Sequence, residues 1–241
     1  SCQPSAGIIG CKLIDGTGNF LPESKRGVPT PWVAFTKIFG LYKISNFFGK
    51  YYAHHLSENQ SGKVDILVGA FMMMKRDLYL KVGGFDENCF MYSDDIDLSY
   101  MVQKLGMDNF YFHETTVIHY KGESTVRDEK YLERFRDAMQ FFYKKHFKKS
   151  FFFDNFIQIG SFLFAIFKQK QAQKLINEID KYIVFSKNKI QLNLNKPIEY
   201  LTDFEQFKNT KNVNFELIFD TNSFSFAEII RFMEKHKSKN I

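Results

Sequence analysis

Ser93-Asp94-Asp95-Ile96-Asp97-Leu98-Ser99-Tyr100-Met101-Val102-Gln103-Lys104-Leu105-Gly106 sets three carboxylates at the head of an apolar-periodic run and a glycine at its end. Leu98, Met101, Val102 and Leu105 share one face at helical spacing. The stretch therefore predicts a helix from about Asp95 to Leu105, stopped by Gly106. A helix N-terminus stabilises negative charge, which would lower carboxyl pKa values and keep the carboxylates ionised near neutral pH. An ionised Asp in that place is able to take a proton from a hydroxyl within hydrogen-bond reach. Spacing alone favours a plainer role, because most acidic residues at a helix start are caps. With Asp95 opening the helix, Asp97 points to another side and is expected to cap or pair structurally.

Upstream, Gly83-Gly84 ends a short predicted helix over Leu78 to Val82, with Asp77 as its cap. Before it, Val64 to Met74 is a continuous apolar run of a length that suits a central strand, with Gly69 permitting close approach of backbone or ligand. Residues 22–62 are polar, aromatic and weakly periodic, with Pro22, Pro29 and Pro31; long irregular segments of this kind tend to be lids or binding loops. Residues 7–14 read as a short buried strand and Asp15-Gly16-Thr17-Gly18 as a turn.

Downstream, Phe110–Phe112 and Thr116–Ile118 read as two short strands. A longer amphipathic helix begins at Thr125, with Leu132, Phe135, Met139 and Phe142 on one face, and ends in the basic cluster Lys144 to Lys149. Phe151–Phe167 is apolar but holds Asp154, Asn155 and Gln158, too short and polar to cross a bilayer alone. Flanked by lysines, it fits a helix lying on a membrane surface; a buried helix of the domain fits equally. Ile183–Phe185, Ile190–Leu194 and Phe215–Phe219 read as strands, and Ser225-x-x-Glu228 as a capping box opening a helix through Met233.

The 241 residues suffice for one good-sized domain with a real core. Aromatic content is high, 17% with 29 Phe, which suits either a membrane-surface segment or a Phe-rich core. The net charge of +6 is concentrated between Lys130 and Lys174 and would meet phosphates of an anionic lipid or a nucleotide-diphosphate. No nucleic-acid recognition module is present, so nucleic acid is not an expected partner. Cys2, Cys11 and Cys89 form no CxxC pair, arguing for a reducing compartment and against a thiolate zinc site. His119 ends a strand ahead of Lys121-Gly122-Glu123-Ser124-Thr125. That turn into a helix is a plausible diphosphate cradle, and His119 a candidate ligand for a bridging cation; strand-end histidines are more often structural. His54, His55, His113 and His146 have no comparable setting. There is no GxSxG elbow, Walker loop, HExxH or dinucleotide fingerprint.

Taken in order, several pieces resemble the inverting family 2 glycosyltransferases of the GT-A fold, above all bacterial rhamnosyltransferase-like members. They are Gly7 to Leu13, Val64 to Met72, Val82-Gly83-Gly84-Phe85-Asp86-Glu87, Phe90 to Tyr100, and Ile118 to Thr125, and the resemblance covers about residues 5–150. It implies an α/β chain, with the acceptor-side half of a GT-A nucleotide-diphospho-sugar transferase fold over 1–150; beyond it, the residues themselves read as an amphipathic segment over 151–181 and an incomplete small α/β module over 182–241. Asp95 matches the family's catalytic base, and Asp94 stands where an acceptor-positioning Glu is usual, one carbon shorter. Gly69 and Ala70 match the strand end beneath the acceptor pocket. Lys121, Ser124 and Thr125 match the loop over the leaving diphosphate, and His119 a metal or diphosphate contact. Met101 stands where relatives often carry Arg.

The implied cofactor is Mg²⁺ or Mn²⁺. The implied partners are a nucleotide-diphospho-sugar donor, a glycan or lipid-linked acceptor, and an anionic membrane surface at the cytoplasmic face of the inner membrane. Upstream of Gly7 the family's nucleotide-binding half and Asp-x-Asp motif have no counterpart. The chain is therefore expected to be a fragment or a split or decayed gene product, unable alone to hold a nucleotide-sugar tightly. A non-catalytic membrane-associated scaffold is the alternative.

Overall fold

Strand β1, Ala6–Ile14, is buried at nearly every position, which explains an apolar run without alternation: both faces of the strand are covered. The computed structural model describes residues 6–30, 53, 55–89, 92–120, 129–147, 178–188, 190–208 and 213–237, the side chains of 129–133, 135 and 136 excepted. Contacts divide the chain into two compact units: the first takes in residues up to Leu13, 21–116 and the helix ending at His146, the second 14–20, 117–120 and the C-terminal part.

The first unit carries a four-stranded sheet in the order β2-β4-β1-β3, where β2 is Gly62–Val64, β3 is Met73–Met74 and β4 is Asp108–Ile118. The edge strands β2 and β3 pair antiparallel with β4 and β1. Helix α1 is Arg76–Val82, α2 is Asp94–Lys104 and α3 is Glu129–His146. Asp77 sits in the first turn of α1 and not at its cap, which is Lys75. Gly83 adopts φ 89° and closes the helix as expected.

The expected central strand over Val64–Met74 is not formed. Only its two ends pair, and residues 65–72 form a strap whose backbone bonds go elsewhere. Arg26 N–H donates to the Ile66 carbonyl and Ile66 N–H to the Arg26 carbonyl, each at 2.9 Å. Leu67 N–H donates to Ser99 Oγ at 3.3 Å and Gly69 N–H to Asp95. The run is apolar because Ile66 and Leu67 are fully buried, not because it lies in a ladder. Conversely, the two short strands expected after α2 are one. Glu114 and Thr115 are exposed and lie beyond the β2 pairing, which ends at Gly62–Tyr111, so β4 continues there without an apolar pattern. Buried Asn109 knots the centre. Its Oδ1 accepts from Ile8 N–H at 3.2 Å, and its Nδ2 donates to the carbonyls of Asp65 and Ser99 at 2.7 and 3.0 Å.

The second unit holds a parallel sheet in the order β6-β5-β7, where β5 is Lys181–Phe185, β6 is Ile198–Leu201 and β7 is Phe215–Phe219. Ile190–Leu194, expected as a strand, makes no ladder. The pairing falls instead on Ile198–Leu201, after Pro197 accepts from Tyr182 N–H at 2.9 Å. Helix α4, Phe226–Lys235, begins with the expected capping box between Ser225 and Glu228. Its Ile229 and Phe232 are buried together with Phe185, Phe224, Ile14 and Ile183, so in this unit much of the phenylalanine surplus is core. Gly18, at φ 80°, lies so near α4 that a Cβ would stand 2.2 Å from the Met233 carbonyl oxygen. The Phe151–Phe167 segment lies outside the described residues.

Candidate active site

Helix α2 starts from a constrained backbone. Tyr92 holds φ 72°, unusual for a residue with a side chain. Ser93 is fully buried, and its hydroxyl does not cap the helix. It donates to the Ala138 carbonyl of α3 at 2.9 Å and lies 2.9 Å from Cys89 Sγ. The backbone N–H groups of Asp94 and Asp95 at the first turn favour the ionised form of the Asp94 carboxyl.

Asp95 is held through one of its two oxygens. Its Oδ2 accepts from Arg26 Nη2 at 2.7 Å and from Gly69 N–H at 3.0 Å, and the paired side chains are each 11% exposed. Among the described residues Oδ1 accepts no hydrogen bond, so one oxygen is anchored and the other is available to a ligand. Gly69 is exposed, as is Ala70 after it. A Cβ on Gly69 would stand 3.5 Å from Asp95 Cβ and 4.0 Å from Asp94 Oδ2. The structure thus brings Asp94, Asp95 and Gly69 together, with Ala70 next along the strap.

The expectation of lowered carboxyl pKa values does not hold at Asp94. Burial, and after it the neighbouring Asp95 charge, push its carboxyl above the ordinary aspartate value, with the backbone donors and Arg26 offsetting only part. Asp97 turns away, as expected, into a buried structural pair. Its Oδ2 accepts from Lys145 Nζ at 2.8 Å and its Oδ1 lies 2.5 Å from His146 Nε2. Lys104 Nζ lies 3.1 Å from His146 Nδ1. An ammonium only donates, so Nδ1 accepts and Nε2 carries the hydrogen toward Asp97. Lys145 also reaches Asp86 at 2.7 Å. His146, which the sequence left without a role, and Lys145, read as part of a free basic cluster, therefore fasten α3 to α2.

His119 follows β4 in the second unit; its N–H donates to the Ile14 carbonyl at 2.8 Å, and its Nδ1 is buried without a hydrogen-bond partner among the described residues. Lys121, Ser124 and Thr125 lie outside the described residues. Among the described residues no three His, Cys, Asp or Glu side chains come together as a metal site. A single imidazole is not a ligand set, so the residues described do not form the site that Mg²⁺ or Mn²⁺ would need. Nor is any helix among them long and apolar enough to cross a membrane. Burial raises the Cys11 thiol to about 11 and pushes Cys89 up as well, leaving neither as a reactive thiolate.

Sequence reasoning missed Arg26, Asn109 and Ser99. Arg26 sits in the proline-bearing stretch already suspected as a binding loop, and that setting is the signal that would have raised it.

Comparison with known proteins finds similarity over part of the chain. The sequence model described as "Glycosyltransferase like family 2" matches residues 40–140. Two curated relatives, the N-acetylglucosaminyl-diphospho-decaprenol L-rhamnosyltransferases of Mycobacterium tuberculosis strains CDC 1551 / Oshkosh and ATCC 25618 / H37Rv, are each 30% identical over 125 residues. That alignment takes in 52% of this chain and 41% of each relative, so the chain spans less than half the length of the proteins it matches. The mixed α/β architecture of the first unit agrees with the resemblance read from the sequence, and over residues 40–140 the chain is similar to glycosyltransferase-like family 2.

Proposed function

We propose that this chain contributes the acceptor-activating part of a glycosyltransferase that moves a sugar from a nucleotide-diphosphate donor to the hydroxyl of a glycan or lipid-linked acceptor. The observation that carries the reading is the Asp95 carboxylate: one oxygen is fixed by Arg26 and Gly69, and the other is left for a hydroxyl. In the proposed step Oδ1 accepts the acceptor's proton as its oxygen bonds to the anomeric carbon. The bond from that carbon to the diphosphate breaks on the opposite side, and the diphosphate departs with the electron pair, so the configuration inverts. Asp94, beside Asp95 and one carbon shorter than the family's usual Glu, orients the acceptor. Gly69 and Ala70 form the floor under it. Lys121, Ser124 and Thr125 are proposed to meet the diphosphate.

Mg²⁺ or Mn²⁺, with His119 as a contact, stays part of the proposal on the strength of the resemblance; when bound it would offset charge on the leaving diphosphate. The relatives' names supply the starting choice of substrates, L-rhamnose as the sugar and an N-acetylglucosaminyl-diphospho-polyprenol as the acceptor. Such an acceptor supports work at the cytoplasmic face of the inner membrane, in surface polysaccharide synthesis.

The test is transfer from a panel of nucleotide-diphospho-sugars to that acceptor by the full protein and by Asp95→Asn. General-base loss is expected to cut kcat by about 10²–10⁴ while donor binding, followed by calorimetry, is unchanged. Turnover retained in Asp95→Asn removes Asp95 as base. Absence of transfer by the wild type with every donor favours the non-catalytic, membrane-associated reading.

A further inference from the structure

Arg26 precedes the segment that matches the family, yet its side chain is the strongest contact that Asp95 makes. Three features bear on what it does. First, its backbone is already pinned to the strap by the two 2.9 Å bonds with Ile66, so the side chain is not needed to tie those segments together. Second, Nη2 donates both to Asp95 Oδ2 at 2.7 Å and to the Leu67 carbonyl at 3.1 Å. The guanidinium is thus itself held in place, and a held donor positions its partner. Third, Gly69 N–H reaches the same carboxylate oxygen at 3.0 Å. The carboxylate torsion of an aspartate is soft and roughly two-fold; two donors converging on one oxygen remove that freedom and leave the other oxygen facing one way.

We propose that Arg26 is the positioning residue for the Asp95 base, holding Oδ2 so that Oδ1 alone is presented to the acceptor hydroxyl; this rests on the reading of Asp95 given above. A guanidinium suits the task because it stays protonated through the reaction. It neither gives a proton to Asp95 nor takes the one Asp95 receives, so the acceptor's proton remains on Oδ1 while the sugar bond forms. The pairing is largely removed from water, which strengthens the hold relative to an exposed ion pair.

The Gly69 amide reports the orientation directly and needs no substrate. In ¹⁵N spectra of the full chain, Asp95→Ala marks where this amide resonates once the carboxylate is gone. Arg26→Ala is expected to move it toward that position and to speed its hydrogen exchange about tenfold or more. The Ile66 amide, bonded to the Arg26 carbonyl, should keep its protection. Arg26→Lys keeps the charge and is expected to lie between; it also serves where the alanine variant is too unstable to study. In transfer assays Arg26→Ala should lower kcat about 10- to 100-fold with the donor KM within about threefold, and millimolar guanidinium should restore part of the loss. A Gly69 amide that stays in place in Arg26→Ala, or a full kcat in that variant, overturns the proposal. Absence of transfer by the wild type sinks the function reading instead, since the amide still shows whether Arg26 orients Asp95.

Discussion

At Asp94, burial and the adjacent Asp95 carboxylate act in the same direction, raising the carboxyl pKa above the ordinary aspartate value. A carboxyl whose pKa is higher in the fold than in the unfolded chain favours folding at low pH, and that contribution disappears as pH rises through the folded value. Asp94→Asn removes the ionisation and keeps the size of the side chain. It is therefore expected to melt higher than the wild type at pH 7, with the gap closing below about pH 4. Solvent screening of a half-buried group keeps the gain small, about 1–3 °C. Calorimetric scans at pH 7 and pH 3.5 decide it, and an unchanged or lower melting temperature at pH 7 refutes it. If Asp94 orients the acceptor, the same variant has a raised acceptor KM, so a more stable protein would be a poorer enzyme.

Between α2 and α3 the argument moves to the element. Asp97 is 1% exposed and is shared by Lys145 and His146, and Phe142 and Tyr143 pack beside them against Ile66 and Ile96. Lys145→Met leaves a buried carboxylate with His146 alone of the two partners and is expected to cost about 2–4 kcal/mol in urea unfolding at pH 7. Lys145 also holds the Asp86 carboxyl down to about 2. Because that value is depressed, its contribution is present above the ordinary 3.8 and lost as pH falls toward about 2. The urea midpoint should thus fall less steeply from pH 4 to pH 2 in Asp86→Asn than in the wild type; equal slopes refute the link. This latch was half legible. The sequence placed Asp97 in a structural pair but offered no partner, because Lys145 and His146 lie almost fifty residues on, and charge pairing at that separation leaves no local pattern. The strap over 65–72 failed for the related reason that its backbone partners are Arg26 and Asp95, side-chain and bridge contacts that hydrophobic periodicity does not register. The helix start, the Gly83 and Gly106 stops and β1 were legible because their causes are local.

Over the whole molecule, the two compact units draw on different kinds of core. Around Asn109 the first unit relies on buried polar bonds to join β1, β4, the strap and α2, a feature that a reading of apolar runs does not see. The second unit relies on stacked rings, and there the sequence was a better guide: Phe content, the capping box and two of three strands could be read directly. Phe232, 5% exposed, lies at the centre, with its ring 4.8 Å from Phe204, 5.0 Å from Phe185 and 5.2 Å from Phe207. Truncating such a side chain costs about 3–5 kcal/mol through lost burial and the cavity left behind. If each unit folds around its own core, that loss falls on one of them. In Phe232→Ala, the amides of Ile183 to Phe185 and Leu217 to Phe219 are expected to exchange much faster, with those of Ile8 to Lys12 unchanged. Equal acceleration at both sets would mean one cooperative core. The outcome bears on function as well: with separate cores, the Gly69 amide signature of the Arg26–Asp95 contact should survive in Phe232→Ala, because the donors to Asp95 among the described residues, Arg26 and Gly69, belong to the first unit.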